Sequence, residues 1–341
     1  MVEIPQAKIE VVAEFPKGYF LENLAVRPDG SILVSAMNKR ELWCIPAPAQ
    51  DLPVKPVLVH TFDLMILNMV EDGEDVFYVT ASDVYTTRES HLYRLDMRGW
   101  LTEKKVEPEL ILVFPEPKVG LNGSCLLAPG VLLAAGITAL IWRVDLPNAA
   151  ELARARVWLK HDNMLNRPGE KKPEQPGLNG LRFAARTGFL YYTSTSQNLM
   201  MRVPVNPNTL EPADMPQFVA GGRYWDDFVL DEDAGIAYVA THRENTIDRV
   251  VMAADGNRSG FAVAAGNPFT DLLVGPSSGV WRRGAGDYGC VAYFTTDGGT
   301  AQPPDGILRT AKVLRVTFPP YSEAAPPATR QAGQKALPIR K

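Results

Sequence analysis

The sequence is short of the patterns that mark common chemistries. It has 3 cysteines and 4 histidines in 341 residues. Cys44, Cys125 and Cys290 are odd in number and far apart, which reads as free buried thiols and neither a disulfide frame nor a thiolate metal site. No run approaches the ~20 apolar residues of a membrane-crossing helix. The N-terminal stretch MVEIPQAKIEVVAEF places acidic residues and Pro5 where a secretory leader needs a basic start and an unbroken apolar core. A cytoplasmic protein in a reducing compartment, with no membrane partner, is expected. Lys and Arg number 35 against 39 Asp and Glu, and no basic cluster precedes the short C-terminal tail, so nucleic acid is not an expected partner. No Gly-x-Ser-x-Gly elbow, His-Glu-x-x-His helix or dinucleotide fingerprint is expected between a strand and a helix, and no organic cofactor is implied.

What the chain does have is a repeat. Copies of one pattern, a short apolar strand, a polar turn and a second strand ending like Ile/Leu-x-Arg-Val, begin at Ile32, Val76, Val131, Phe189, Ile236 and Val291. Their spacing of 44 to 58 residues suits one four-stranded propeller blade with a variable loop. The 28 prolines and 27 glycines suit many short strands joined by turns, and 46% hydrophobic residues suffice for a large core. The expected fold is all-β, a six-bladed β-propeller of four-stranded blades in one domain over residues 1–318. Val11–Glu14 is expected to join the last blade's sheet and close the ring, leaving no free edge. The charged stretch 102–118 and the proline-bearing stretch 163–176 read as loops. Residues 319–341, rich in Ala and Pro, read as a partly disordered tail.

Ahead of the repeated strand, four copies carry an oxygen-bearing residue in a similar frame: Glu22 in FLENLAVRPDG, Asn122 in GLNGSCLLAPG, Asn179 in GLNGLRFAARTG and Asp226 in YWDDFVLDEDAG. The innermost strand of each blade runs beside the axis, so residues at the same end of these strands converge on one mouth. Two carboxylates and two amides make a set of hard oxygen ligands suited to Ca²⁺, Mg²⁺ or Mn²⁺. Asn-Gly and Asp-rich pairs also form ordinary turns, and that reading stands for any one of them alone. Asp227 competes with Asp226, because alternate strand residues point to opposite faces.

These blades resemble the six-bladed propellers of regucalcin, gluconolactonase and the luciferin-regenerating enzyme. The resemblance covers about residues 15–318 and is nearest to fungal members whose blades also read LENLAVRPDG, GLNG, DDFxLD and GPSS. It implies a divalent metal, Ca²⁺ in the first instance, on Glu22, Asn179 and Asp226, the last because Asp231 follows at the family's distance, with Asn122 as a further amide near the substrate. Two departures stand out: the usual Glu-Gly-Pro reads Glu22-Asn23-Leu24, and the usual Ala-Asp-Ser reads Ala135-Gly136-Ile137.

In the family's lactonases the metal polarises an ester carbonyl while a carboxylate helps deliver water. The expected rim here is apolar and aromatic instead: Tyr19, Phe20, Met37, Met65, Met69, Tyr224, Trp225 and Trp281. A sugar lactone would leave hydroxyls unpaired against it, at roughly 1–3 kcal/mol each. Fungal relatives include hetero-Diels-Alderases that join a quinone methide to a terpene, and the resemblance implies such a cyclase of secondary metabolism, acting on small, largely apolar molecules. Two alternatives remain, a metal-dependent lactonase or esterase and a non-catalytic scaffold that binds a protein partner. His242, in ATHREN, is the candidate general acid or base, whereas His60, His91 and His161 fall on blade edges or loops. Ser277 and Thr295 are candidates to orient substrate oxygens. A propeller of this size is expected as a monomer or weak homodimer.

Overall fold

The first strand of every repeat, which is the second strand of its blade, is apolar on both faces, and that decides where it lies. Val76–Ser82 is buried at every position, as are Ile32–Ala36 and Ile236–Ala240, which is the signature of a strand covered by neighbouring sheets. The computed structural model, which describes residues 4–48, 51–138, 140–148, 151–167, 176–252 and 260–321, arranges these strands in six four-stranded antiparallel sheets. The innermost strands are Leu21–Val26, Met65–Glu71, Leu121–Ala128, Leu178–Ala184, Phe228–Asp231 and Pro276–Trp281. Burial falls outward: Val57–Thr61, outermost in the first blade, has three exposed positions out of five residues.

The first five blades leave the inner strand by a short turn. Gly30 and Gly188 hold left-handed backbone there, with φ of 82° and 71°, a conformation that costs a residue with a Cβ. Arg27 begins the first of these turns and is almost wholly buried. Its guanidinium donates to Asp75 at 3.0 and 2.7 Å and to the Met97 carbonyl at 3.0 Å, locking the first blade to the second.

The last sheet is completed from the other end of the chain. Lys8–Lys17 runs antiparallel to Thr310–Thr317, with Lys8 opposite Thr317 and Lys17 opposite Thr310, so the expected closing strand is present and longer than Val11–Glu14. An apolar seam fills each space between blades. Val12, Phe15, Leu24 and Ile32 meet Tyr293 and Val313 where the ring closes, and Leu133 and Ile141 meet Leu181 and Tyr192 between the third and fourth blades.

Two expectations need correction. The stretch 102–118 is not all loop: Trp100–Glu103 forms a helical turn and Glu109–Val113 is the outermost strand of the second blade. An outermost strand packs on one side only, so its apolar pattern is weak. The chain also stays packed past 318, since Tyr321 lies against the seam of the fifth and sixth blades, under the Arg249 guanidinium at 4.9 Å. Residues 322–341, together with Pro168, Gly169 and Pro173, lie outside the described residues. Residues 163–167 and Pro176, the described part of 163–176, carry no strand. Cys44, Cys125 and Cys290 are free thiols, and Cys290 is only half-buried.

Candidate functional site

One backbone irregularity, repeated in all six blades, builds the axis. The inner strand carries one residue more than its partner: Leu21 to Leu24 faces only Ala36 to Val34, and the same slip recurs at Ile66–Asn68, Leu121–Ser124, Leu178–Leu181 and Pro276–Gly279. In the fifth blade Asp226 N–H donates to the Ala240 carbonyl and Ala240 N–H donates to the Asp227 carbonyl, so two residues again face one. A bulge turns two successive side chains out of the alternation that a regular strand would impose. The pairs so presented are Glu22-Asn23, Leu67-Asn68, Asn122-Gly123, Asn179-Gly180, Asp226-Asp227 and Ser277-Ser278.

The question of Asp226 against Asp227 therefore has an unexpected answer: both belong to the channel, at different levels. Asp226 lines a cavity of about 550 Å³ with Glu22, Asn122, Asn179 and His242. Asp227 is bonded below it to groups of three other blades, Arg182 at 2.6 Å, Ser278 at 2.7 Å and Asn23 at 3.4 Å. Gly180 permits this crowding, because a Cβ there would stand 2.3 Å from Asp227 Oδ1.

The upper level gathers buried oxygen acceptors at the floor of a cavity whose lining also holds Arg88, Asn122, His242 and Arg243. Glu22, Asn179 and Asp226 are all buried. Asn179 Oδ1 and Asp226 Oδ1 have no hydrogen-bond partner, although Asn179 donates through Nδ2 to Thr195 Oγ1 at 3.1 Å. Burial raises the Glu22 carboxyl well above its usual range, and the charges of Asp226, Asp227 and Asp297 raise it further. Burial also raises Asp226, with the charge of His242 opposing it. His242 Nε2 lies 3.3 Å from Asp297 Oδ2 and Nδ1 lies 3.7 Å from Asp226 Oδ2. Burial works against a charge on His242, but the hydrogen bond it donates to Asp297 and the charges of Asp297 and Asp226 outweigh it and raise its pKa. The orphaned buried acceptors Asn179 Oδ1 and Asp226 Oδ1, with the buried Glu22 carboxyl in the same cavity, are hard oxygens of the kind that fit Ca²⁺, Mg²⁺ or Mn²⁺. Among the described residues no three His, Cys, Asp or Glu side chains converge as a metal-binding group.

The wall of this cavity is asymmetric. Met37, Leu67, Val84 and Ile137 form one apolar cluster, with Phe20 and Met65 packed against it. Leu67 occupies in the second blade the bulge position held by Glu22, Asn122, Asn179 and Asp226 in four others. Val84 and Arg88 arrive on a loop fixed by Asp83, whose carboxylate accepts the N–H groups of Tyr85, Thr86 and Thr87.

Several expected contacts are placed elsewhere. Trp225 is fully buried in the seam of the fourth and fifth blades, with its indole N–H on Asp248 Oδ2 at 3.0 Å. Tyr224 is partly exposed outside the cavity lining. Trp281 ends its strand at the far side from Ser277, packs with Tyr238 and Phe318, and donates to the Leu230 carbonyl at 2.6 Å. Tyr19 packs on Phe15 at 5.8 Å, and Met69 fills the seam of the first and second blades. Ser277 and Thr295 serve the bulge instead of a ligand: Thr295 Oγ1 accepts the Ser278 N–H and donates to the Glu22 carbonyl, and Ser277 donates to the Leu21 carbonyl. A bulge leaves an unpaired N–H, and a hydroxyl on the next strand satisfies it. Gly275–Gly279 does spell Gly-x-Ser-x-Gly, but it lies along this inner strand and forms no elbow. Of the expected aromatic and methionine rim, Phe20 and Met37 line the cavity, with Met65 behind them. Sequence reasoning missed Leu67, Val84, Ile137 and Asp297. The bulge frame was the signal that could have found Leu67.

No protein-family profile matches the chain. A provisionally named hetero-Diels-Alderase of Sarocladium schorii is 34% identical over 95 residues, 28% of this chain and only 22% of that protein. A second protein provisionally so named, from a Phoma species, is 24% identical over 258 residues, covering 64% of this chain and 68% of its own. Among solved structures, luciferin-regenerating enzyme superposes with a TM-score of 0.63 at 14% identity, covering 91% of this chain and 95% of its own. Regucalcin of Agrobacterium tumefaciens gives 0.59 at 16% identity, covering 91% and 96%. A gluconolactonase-like structure gives 0.59 at 15%, covering 92% of each. The chain is thus a member of the six-bladed propeller fold shared by luciferin-regenerating enzyme, regucalcin and gluconolactonase, and its sequence is similar to proteins named as hetero-Diels-Alderases.

Proposed function

We propose that the protein is an enzyme of fungal specialised metabolism and a cyclase of the hetero-Diels-Alder type, joining a reactive quinone methide to an apolar, terpene-like alkene. The observation that supports this most is the cavity itself, about 550 Å³ with a continuous apolar wall facing buried oxygen groups. Its size suits small molecules. Such a cycloaddition forms its two new bonds without a nucleophile or a general base. The site has to hold both partners in reactive contact, exclude water that would quench the electrophile, and place a donor or cation at the carbonyl oxygen. Phe20, Met37, Leu67, Val84 and Ile137 serve the first two needs. Asn122, whose side chain has no hydrogen bond among the described residues, and His242 in its doubly protonated form are the donors for the third.

Glu22, Asn179 and Asp226 would hold a divalent cation, Ca²⁺, Mg²⁺ or Mn²⁺, which when bound supplies a Lewis acid for that oxygen. The orphaned acceptors Asn179 Oδ1 and Asp226 Oδ1 favour this and also support a second reading, a metal-dependent lactonase in which Asp226 helps deliver water. The experiment presents the purified protein with a quinone methide generated in situ and a cyclic terpene alkene. A single enantiomer formed faster than in buffer is expected. Racemic adduct at the buffer rate, together with lactone hydrolysis that stops on chelation, would replace the first reading by the second.

A further inference from the structure

We infer that Asp297 is a positioning residue of this cavity: it holds a proton on Nε2 of His242 and so leaves Nδ1 as the ring atom that meets a substrate oxygen. The inference rests on reading the cavity as the substrate site.

Asp297 is fixed from every side. It is 1% exposed, and its Oδ1 accepts the Gly299 N–H at 2.6 Å while its Oδ2 accepts the Ala301 N–H at 2.8 Å. The main chain makes room for it, since a Cβ on Gly275 would stand 1.8 Å from Asp297 Oδ1, and Gly275 holds left-handed backbone at φ 66°. A carboxylate so held cannot turn to follow the imidazole.

The imidazole is fixed in its turn. His242 Nε2 lies 3.3 Å from Asp297 Oδ2, and the ring packs on Phe20 with centroids 5.3 Å apart. An ionised carboxylate only accepts hydrogen bonds, so the nitrogen facing it is the one that carries hydrogen, whatever the state of the other. Nδ1 is 3.7 Å from Asp226 Oδ2, beyond hydrogen-bond distance, on a residue that lines the cavity. His242 also holds left-handed backbone at φ 43°, a strain of ~1–3 kcal/mol for a residue other than glycine that persists only where the surroundings impose it. Residues 55 apart in the chain are therefore joined to aim one nitrogen.

Two measurements test this. Long-range ¹H–¹⁵N spectra of the histidine rings, with His242→Gln identifying the resonances, should show Nε2 of His242 protonated in the wild-type protein. A bare Nε2 with the proton on Nδ1 overturns the inference, and this arm needs no substrate. In turnover, Asp297→Ala and His242→Gln should each lower kcat by about 10²-fold, the usual worth of a positioned acid or base. The double variant should be within about twofold of either single one, because both remove one unit. Losses that multiply in the double variant, or single variants with wild-type kcat, overturn the inference. An inactive wild-type protein whose Nε2 is protonated counts instead against the proposed reaction.

Discussion

Asp226 and Asp227 are adjacent in the chain, yet their carboxylates serve different levels of one channel. The first lines the large cavity with a bare Oδ1, and the second is bonded to Arg182 and Ser278 beneath it. The bulge at this point separates a group free to meet a ligand from one committed to holding blades together.

Substituting the two should therefore give opposite phenotypes. Asp226→Asn should cut turnover by at least about 10²-fold with little change in stability. Asp227→Asn should lower unfolding free energy by about 3 kcal/mol, because it strands a largely buried guanidinium partner. Denaturant melts and steady-state rates on both variants check this, and equal phenotypes would contradict the two-level arrangement.

The apolar wall should be sensitive to one polar atom pair. Leu67→Asn removes about 1.5–3 kcal/mol of apolar contact for a ligand lying on it, so affinity for hydrophobic ligands should fall by at least tenfold. Titration calorimetry with wild-type and variant protein measures it. A Leu67→Asn protein that binds such ligands unchanged would place the apolar subsite elsewhere.

A cation on Glu22, Asn179 and Asp226 should stabilise the fold. Calcium at about one hundred times its dissociation constant would add about 2.7 kcal/mol. The thermal transition should rise with added calcium in the wild type and stay put in Glu22→Gln. A transition that ignores Ca²⁺, Mg²⁺ and Mn²⁺ alike would remove the metal from the proposal.

Arg27 lies on the opposite side of the disk from the chemistry, buried against Asp75 and Met97. Arg27→Ala should lower stability by about 3–5 kcal/mol, the usual result of leaving one buried charge without its partner. Rates at low temperature should stay near wild type. A large rate loss in folded Arg27→Ala protein would show that the lower blade contacts reach the cavity.

Much of the fold was legible because its determinants are local and repeated. The six starts from Ile32 to Val291 coincide with the observed second strands, since a strand covered on both faces must be apolar throughout. The outermost strand Glu109–Val113 was not legible, because a half-exposed strand with charged neighbours reads like a loop. In the cavity, Glu22, Asn122, Asn179 and Asp226 announced themselves by a shared frame. The aromatic rim did not follow the same logic: Trp225 and Trp281 are large because the seams between blades need volume, and sequence offers no way to tell seam from mouth.

By itself the sequence determined the number of blades, the closing strand and the ring of oxygen side chains at one end of the inner strands, because alternation and spacing act along the chain. Only the tertiary structure decided which neighbours those side chains meet. A bulge rotates two successive residues inward, and Asp297 reaches His242 of the neighbouring blade, because contacts between blades depend on distances in space that no local pattern encodes.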